Sequence, residues 1–300
     1  MNSPEPVFGG IDAGGTTFKC GVADKTGNLL SRQRVPVSTP EQTLAGCADF
    51  FRKVMGDKRL ASLGIASFGP LGVDPDASSY GSILKTPKPG WSHTDLIGYF
   101  SSALQTEIKI DTDVNGALLA EMESGAAAQA RSAAYVTIGT GIGAGMFLNG
   151  GLVGKPVHPE FGHIPLRRHP EDAAFKGVCP FHSDCLEGLA SVTAIRARWG
   201  DPVEFPANHH GWPIIADYLA QACRSLSLTL RLEKIILGGG LMLAPHLLER
   251  VRDAYDTQMA DYLVDRALTG ADIIHRPGLG DDAGLHGAIW LARSIPAPRR

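Results

Sequence analysis

The chain has 300 residues, enough for two domains of the usual ~100–200 residues. Hydrophobic residues make up 44% and charged residues 20%, the balance of a globular chain that can bury a core. The net charge of −3 argues against a general nucleic-acid binder, and no apolar run reaches the ~18–20 residues that span a bilayer.

The opening MNSPEPVFGGIDAGG lacks a basic stretch followed by an apolar one, so no secretory signal is read and a cytoplasmic location is expected. Cys20, Cys47 and Cys223 stand alone in apolar surroundings and are expected in the core as free thiols. VFGGI reads as a buried strand entering the glycine turn of GGIDAGGTT. GVADKTGNLLSRQRVPV supplies the second and third strands of a meander, turning at Lys25 to Asn28. EQTLAGCADFFRKVMG is an amphipathic helix with Leu44, Cys47, Phe50, Phe51 and Val54 on one face. ASLGIASFGPLG is a strand that ends in a glycine–proline loop. EIKIDTDVNGALLAEMESGAA is a short strand ending near Asp111 to Asn115, then a helix from about Gly116.

AAYVTI enters a second glycine turn, TIGTGIGAG. ASVTAIRARWG and WPIIADYLAQACRSLSLTLR read as helices, and EKIILGGG as a strand ending at Gly238–Gly240. APHLLERVRDAYDTQMADYL is a helix, DIIHRPGL a strand and DDAGLHGAIWLARSI a final helix. The turns near 12–17 and 137–143 use one device twice, which suggests two similar α/β halves with a cleft between them.

Asp12 stands at a strand end, followed by Gly14, Gly15, Thr16 and Thr17. Such a turn offers backbone N–H groups and two hydroxyls to phosphate oxygens, and a carboxylate to Mg2+, directly or through water. The spacing is neither that of a Walker loop nor of a dinucleotide fingerprint, and an ordinary hairpin is the alternative. The turn Gly139-Thr140-Gly141 and the run Gly238–Gly240 make three glycine loops, which together weigh toward a ligand. Asp113 lies where a strand passes into a helix. Two readings of it stay open: a base that accepts a proton from a substrate hydroxyl, and a helix N-cap.

Taken in order, IDAGGTTFKCGVAD, DTDVNGALLAE, TIGTGIGAG, HPEFGHI, CLEGLASVTAI and ILGGGLM resemble the ROK family of bacterial sugar kinases and related repressors, over nearly the whole chain. YGSILKTPKPGW (80–91) and FKGVCPFHSDCLEG (175–188) look like its fructokinase branch. The resemblance implies an α/β, two-domain actin-like ATPase (ribonuclease H-like) fold with a cleft between the domains. Residues 1–115 plus about 281–300 would form a small domain, and 116–280 a large domain carrying a zinc loop. The implied reaction is ATP-dependent phosphorylation of a hexose hydroxyl, D-fructose to D-fructose 6-phosphate, with Asp113 as general base. Asp12, Gly14, Gly15, Thr16, Thr17 and Lys19 would hold ATP phosphates together with Gly139, Thr140 and Gly141, with Mg2+ at Asp12. Gly239 and Gly240 would let adenosine lie against backbone. A homodimer is implied as well, and no nucleic-acid or membrane partner.

His163, Cys179, His182 and Cys185 give H-x15-C-x2-H-x2-C. Two thiolates and two imidazoles match a closed, structural tetrahedral zinc site, the alternative being a polar loop of unrelated residues. The family usually uses one His and three Cys here, so His182 is a departure that removes about one negative charge. Glu160 lies three residues before His163 and Glu187 two after Cys185, so a metal would fix the backbone beside both. By resemblance, Glu160, Glu187 and His163 bind sugar hydroxyls. Thr112 would touch the sugar where glucose-type kinases often carry Asn, which agrees with fructose. Lys85, Thr86 and Trp91 are candidates for the sugar end. The rival readings are a kinase for mannose, glucose or an N-acetylhexosamine, a non-catalytic sugar-binding module, and a sugar-responsive repressor. Only eight residues precede Gly9, too few for the DNA-binding domain a repressor needs.

Overall fold

The computed structural model describes residues 5–86, 88–262 and 269–296. The chain divides into two compact units, Met1–Glu123 with Gly154–His158 and Leu279–Arg300, and Ser124–Val153 with Pro159–Gly278.

The first unit opens with β1 (Phe8–Ala13), β2 (Thr17–Ala23) and β3 (Leu29–Pro36). They pair antiparallel as the meander the alternation of the sequence predicts. Helix α1 (Pro40–Met55) follows, with Thr39 accepting the Gln42 N–H at its N-cap and proline in its first turn. Leu44, Cys47, Phe50 and Phe51 are buried as expected, but Val54 is 39% exposed and lies off that face. β4 (Ser62–Ser67) joins β1 in parallel. After α2 (Leu96–Leu104), β5 (Ile108–Thr112) joins β4 in parallel. The sheet order is β3-β2-β1-β4-β5.

Helix α3 (Asp113–Ser124) begins with no residue between it and β5, three residues earlier than the sequence suggests. Thr112 explains this, because its hydroxyl accepts the Asn115 N–H at 3.2 Å and caps the helix itself. The last helix, α9 (Ala283–Arg293), crosses the sheet, where Ser62 Oγ donates to the Ala292 carbonyl at 2.8 Å. Two glycines, Gly116 of α3 and Gly287 of α9, let these helices touch backbone to backbone. That contact holds α3 to the first unit through Glu123, whereas the sequence reading placed the break at 115.

The second unit repeats the plan. β6 (Ala133–Ile138), β7 (Ile142–Leu148) and β8 (Gly151–Leu152) form an antiparallel meander. A long excursion then leads to α4 (Leu186–Ala190), α5 (Val192–Trp199) and α6 (Gly211–Leu230). β9 (Lys234–Gly238) adds to β6 in parallel, α7 (Leu247–Met259) follows, and α8 (Gly270–Ile273) leads into β10 (Ile274–His275), parallel to β9. The order β10-β9-β6-β7-β8 mirrors that of the first sheet, so the two similar α/β halves read from the glycine turns are present. The strand predicted over DIIHRPGL shrinks to two residues, because Thr269 and Asp272 close a capping box that winds the preceding turn into helix. The predicted end of α7 at Leu263 lies outside the described residues, and Ala260 in left-handed conformation ends the helix there. No helix among the described residues is long and apolar enough to cross a membrane.

The first unit has one spot with no slack. A Cβ on Gly64 of β4 would collide with the Ala288 carbonyl of α9. Gly64→Ala must push the helix off the sheet. It is expected to cost about 3 kcal/mol, measured as a fall in denaturant midpoint with unchanged slope. An unchanged midpoint would show that α9 is held less closely than this geometry requires.

Candidate active site and metal cluster

The parallel strands β1, β4 and β5 end at the same edge of the first sheet, the place where α/β sheets bind ligands. Asp12 of β1 stands there. The turn after it is closed by the Gly14 N–H, 3.1 Å from the Thr17 carbonyl and 3.2 Å from that of Asp12. Gly15 and Thr16 are exposed, and space around Gly15 is open. Lys19 does not lie free beside the turn. Its Nζ is 3.5 Å from Asp12 Oδ2 and 3.0 Å from Asp281 Oδ1, in the loop before α9. Asp281 also pairs with Arg34, and Asp282 with Arg32. This ionic frame was missed because its partners are about 250 residues apart, as Arg32 and Asp282 show.

Asp113 is the first residue of α3. Its Oδ1 accepts the Val114 N–H at 2.9 Å, and Thr112 takes the N-cap role left open for it. Burial pushes the Asp113 carboxyl up to about 7, and the nearby Asp12 carboxylate adds to the rise. Burial raises Asp12 as well, with Lys19 opposing. The junction is braced by Asp111, which is 4% exposed. It accepts the Thr112 N–H at 2.8 Å and Asn115 Nδ2 at 2.7 Å, and pairs with Lys155 Nζ at 2.6 Å. Thr112 is also 4% exposed; its oxygen accepts the capping N–H, and its O–H proton and second lone pair are left for another group. Trp91 is fully buried and donates its indole N–H to the Ser38 carbonyl, which removes it from the sugar candidates. Lys85 is exposed and Thr86 half-buried.

The second unit gathers His163, Cys179, His182 and Cys185 with all four ligand atoms within 4.8 Å of one another. Cys179 and Ser183 exchange backbone hydrogen bonds, a tight turn that needs Ser183 at φ 54° and folds His182 back on Cys179. Cys185 caps α4 and bridges to Pro165, two residues past His163 in the chain. Cys179 Sγ is 3.7 Å from His163 Nδ1 and 3.9 Å from His182 Nδ1, and Cys185 Sγ is 3.5 Å from His163 Nδ1. Ligands ~2.0–2.3 Å from one ion, at tetrahedral corners, lie roughly 3.3–3.8 Å apart, and these three separations are close to that, so the four residues could hold a metal ion. Glu187, in the first turn of α4, accepts the Ile142 N–H at 2.9 Å. A Cβ on Gly141 would fall 2.5 Å from the same carboxylate oxygen, so Glu187 lies over the second glycine turn. Glu160 is exposed, and its carbonyl accepts the His163 N–H.

In that second turn the Gly139 N–H reaches the Gly141 carbonyl, and Thr193 Oγ1 holds the Thr140 carbonyl at 2.7 Å. Gly239, at φ 88°, presses on the backbone of Ile138, where no side chain fits. Gly139, Thr140 and Gly240 line a cavity of about 680 Å³ whose apolar walls include Phe205, Trp212 and Leu241. That volume suits a small organic ligand. Arg196 and Asp201 at this cavity pair with each other at 2.7 Å. The glycines were legible in sequence. Phe205 and Trp212 were not, because no local pattern separates a cavity wall from a core.

The ROK family model matches residues 8–295. A fructokinase of Zymomonas mobilis subsp. mobilis is 43% identical, covering 97% of this chain and 98% of its own. A fructokinase of Streptococcus mutans is 40% identical over 97% and 99%. Among solved structures, the ROK hexokinase of Thermus thermophilus matches with a TM-score of 0.75 at 27% identity, covering 95% of this chain and 97% of its own.

The raised Asp113 carboxyl makes a stability prediction. Between its ordinary 3.8 and about 7 the folded chain keeps a proton that the unfolded chain has lost. The group therefore lowers stability as pH rises through that window, by at most ~4 kcal/mol, and the whole cost stands above it. Asp113→Asn is expected to raise Tm at about pH 8 and to give little gain near pH 4. A Tm difference that does not vary with pH would show that the carboxyl titrates normally.

Proposed function

The chain belongs to the ROK family, and we propose that it is an ATP-dependent hexose kinase that converts D-fructose to D-fructose 6-phosphate. The observation that carries this reading is the Asp12–Asp113 pair at the strand ends, with Asp113 raised to about 7 beside an open glycine turn. A base poised there takes a proton near neutral pH and returns it readily. Asp113 removes the proton of the sugar hydroxyl as its oxygen attacks the γ-phosphorus. The bond from that phosphorus to the β,γ-bridging oxygen breaks, and ADP leaves with the electron pair. The turns Gly14–Thr17 and Gly139–Gly141 bind phosphate oxygens through their hydroxyls and through N–H groups other than those of Gly14 and Gly139, which close the turns themselves. Lys19 holds Asp12 in place. The cavity beside Gly239 and Gly240 takes the nucleoside, with Phe205 and Trp212 against the base. Asp12 offers Mg2+ an oxygen ligand, directly or through water, and the ion supplies charge neutralisation on the β- and γ-phosphates.

Glu160, Glu187 and His163 bind sugar hydroxyls, and Thr112 contributes its O–H. His163, Cys179, His182 and Cys185 hold a zinc ion whose role is to fix the backbone beside both glutamates. A zinc ion held by these four residues would be structural and would not activate a water. Fructose as the sugar is supported by the two fructokinase relatives and by the 80–91 and 175–188 stretches.

An ADP-release assay over hexoses with MgATP tests the reading. Fructose is expected to give the highest kcat/KM, and Asp113→Asn to lower kcat by about 10²–10⁴-fold with fructose affinity kept. Near-full kcat in that variant would remove Asp113 as base, and turnover led by another hexose would overturn the sugar assignment. The metal has its own check. Elemental analysis should find about one zinc per chain, lost in Cys185→Ser, with weaker fructose binding and a lower Tm after chelation. Chelated protein that binds fructose as tightly as before would end the structural role of zinc.

A further inference from the structure

Lys88 lies in the stretch between β4 and α2 and was not a candidate on sequence grounds. Its backbone is set by neighbours that do not involve its amine. The Lys88 N–H reaches Thr86 Oγ1, the Trp91 N–H reaches the Lys88 carbonyl, and Trp91 is anchored in the core through Ser38. The side chain runs from this base to the glycine turn that follows Asp12. There Nζ donates to the carbonyl of Gly15. It stands 4.6 Å from the centre of the Phe68 ring and 5.3 Å from that of Trp91.

What Lys88 lacks is an opposite charge. Among the described residues it makes no ion pair with a carboxylate, whereas Lys19, four residues past Gly15 in the chain, has Asp12 and Asp281. Partial burial lowers its affinity for the proton, and no anion offsets this. One carbonyl and two aromatic faces stabilise an ammonium only in part. A lysine held this way is matched to an anion that arrives later. The turn it touches presents Gly15 and Thr16 to solvent, with open space around Gly15. The anion suited to such a turn is a phosphate group.

We propose that Lys88 contacts the polyphosphate of the nucleotide. Its ammonium leaves the Gly15 carbonyl for non-bridging oxygens of the transferred phosphoryl group. Charge on those oxygens is stabilised as the group passes to the sugar hydroxyl, with the proton still taken by Asp113. The inference rests on the kinase reading above and adds a cationic residue to it. The competing account is a staple that holds the 86–91 stretch to the turn and meets no substrate.

Lys88→Met and Lys88→Arg separate the two. Trp91 keeps its core anchor in both, so both are expected to fold with Tm near that of the unaltered protein. For Lys88→Met, kcat/KM for MgATP should fall about 10²-fold while fructose affinity without nucleotide, read by calorimetry, stays within twofold. Binding of magnesium tripolyphosphate should weaken about 10-fold, and Lys88→Arg should recover most of both losses. Retention of kcat/KM for MgATP and of tripolyphosphate affinity in Lys88→Met would overturn the proposal. So would parallel losses of fructose and tripolyphosphate binding with a lowered Tm, or an arginine variant no better than methionine. Tripolyphosphate binding is read without any sugar. If the unaltered protein turned over no hexose, the kinase reading would fail, while that binding comparison would still decide the part played by Lys88.

Discussion

Two carboxyl groups, Asp12 and Asp113, are held close together at a partly dry edge of the first sheet, and burial penalises the charge of each. Much of the unit's local detail answers that constraint. Lys19 stands against Asp12 and is itself held by Asp281, which Arg34 holds in turn. The first turn of α9 carries glycine at 284 because a Cβ there would lie 2.6 Å from the Asp12 carboxyl. The same helix sits on Gly64 and on Gly116, so it fixes β4 and the start of α3 with one rigid body. Among the described residues no such cation stands beside Asp113, and that asymmetry leaves its proton affinity high. A carboxyl kept at about 7 destabilises the folded chain at neutral pH, the usual sign of a group positioned for something other than stability.

The second unit uses the same sheet order for another task. Where the first unit follows its meander with α1, the second sends out the excursion that holds the Cys/His cluster. Its glycine turn is held by side chains that arrive from the far end of that excursion, Glu187 on the Ile142 N–H and Thr193 on the Thr140 carbonyl. Turn and excursion therefore settle together, and whatever orders residues 163–185 also orders the carboxylate over Gly141.

Much of this was legible in the sequence, and the reason differs from case to case. The meanders could be read because strand periodicity and turn glycines are local signals. The cluster could be read because two cysteines and two histidines at short spacing have few other uses. The two similar halves could be read because one device, a strand entering a glycine turn, recurs near 12–17 and 137–143. Lys19, read as a phosphate ligand, is instead occupied by two carboxylates, one of them 262 residues away. Trp91, read as a sugar contact, proved to be a core residue. Short-range pattern reports residue type and cannot report which partner reaches it across the fold. Lys88 is the same failure in reverse, since nothing beside it in the chain announces Gly15.

The excursion also has an anchor that owes nothing to the Cys/His cluster. Asp172 and Arg198 are each 4% exposed and pair at 2.6 Å. Tyr218 donates to the same Asp172 oxygen at 2.8 Å, Arg168 donates to the Asp172 carbonyl, and Arg198 lies over Phe175 and Trp199. A buried ion pair repays its desolvation only when its remaining hydrogen-bonding capacity is filled, and here it largely is. Losing one partner would strand a charge at a cost of about 3–5 kcal/mol, more than a typical surface contact could replace. The pair ties the middle of the excursion to α5 and α6, while the cluster closes the hairpin of Cys179–Ser183 onto His163 and Cys185. Positioning of the excursion and shaping of its tip are thus separate jobs. A change within the Cys/His cluster, at His182 for instance, therefore leaves the segment that carries Glu160 and Glu187 anchored to the helices behind it.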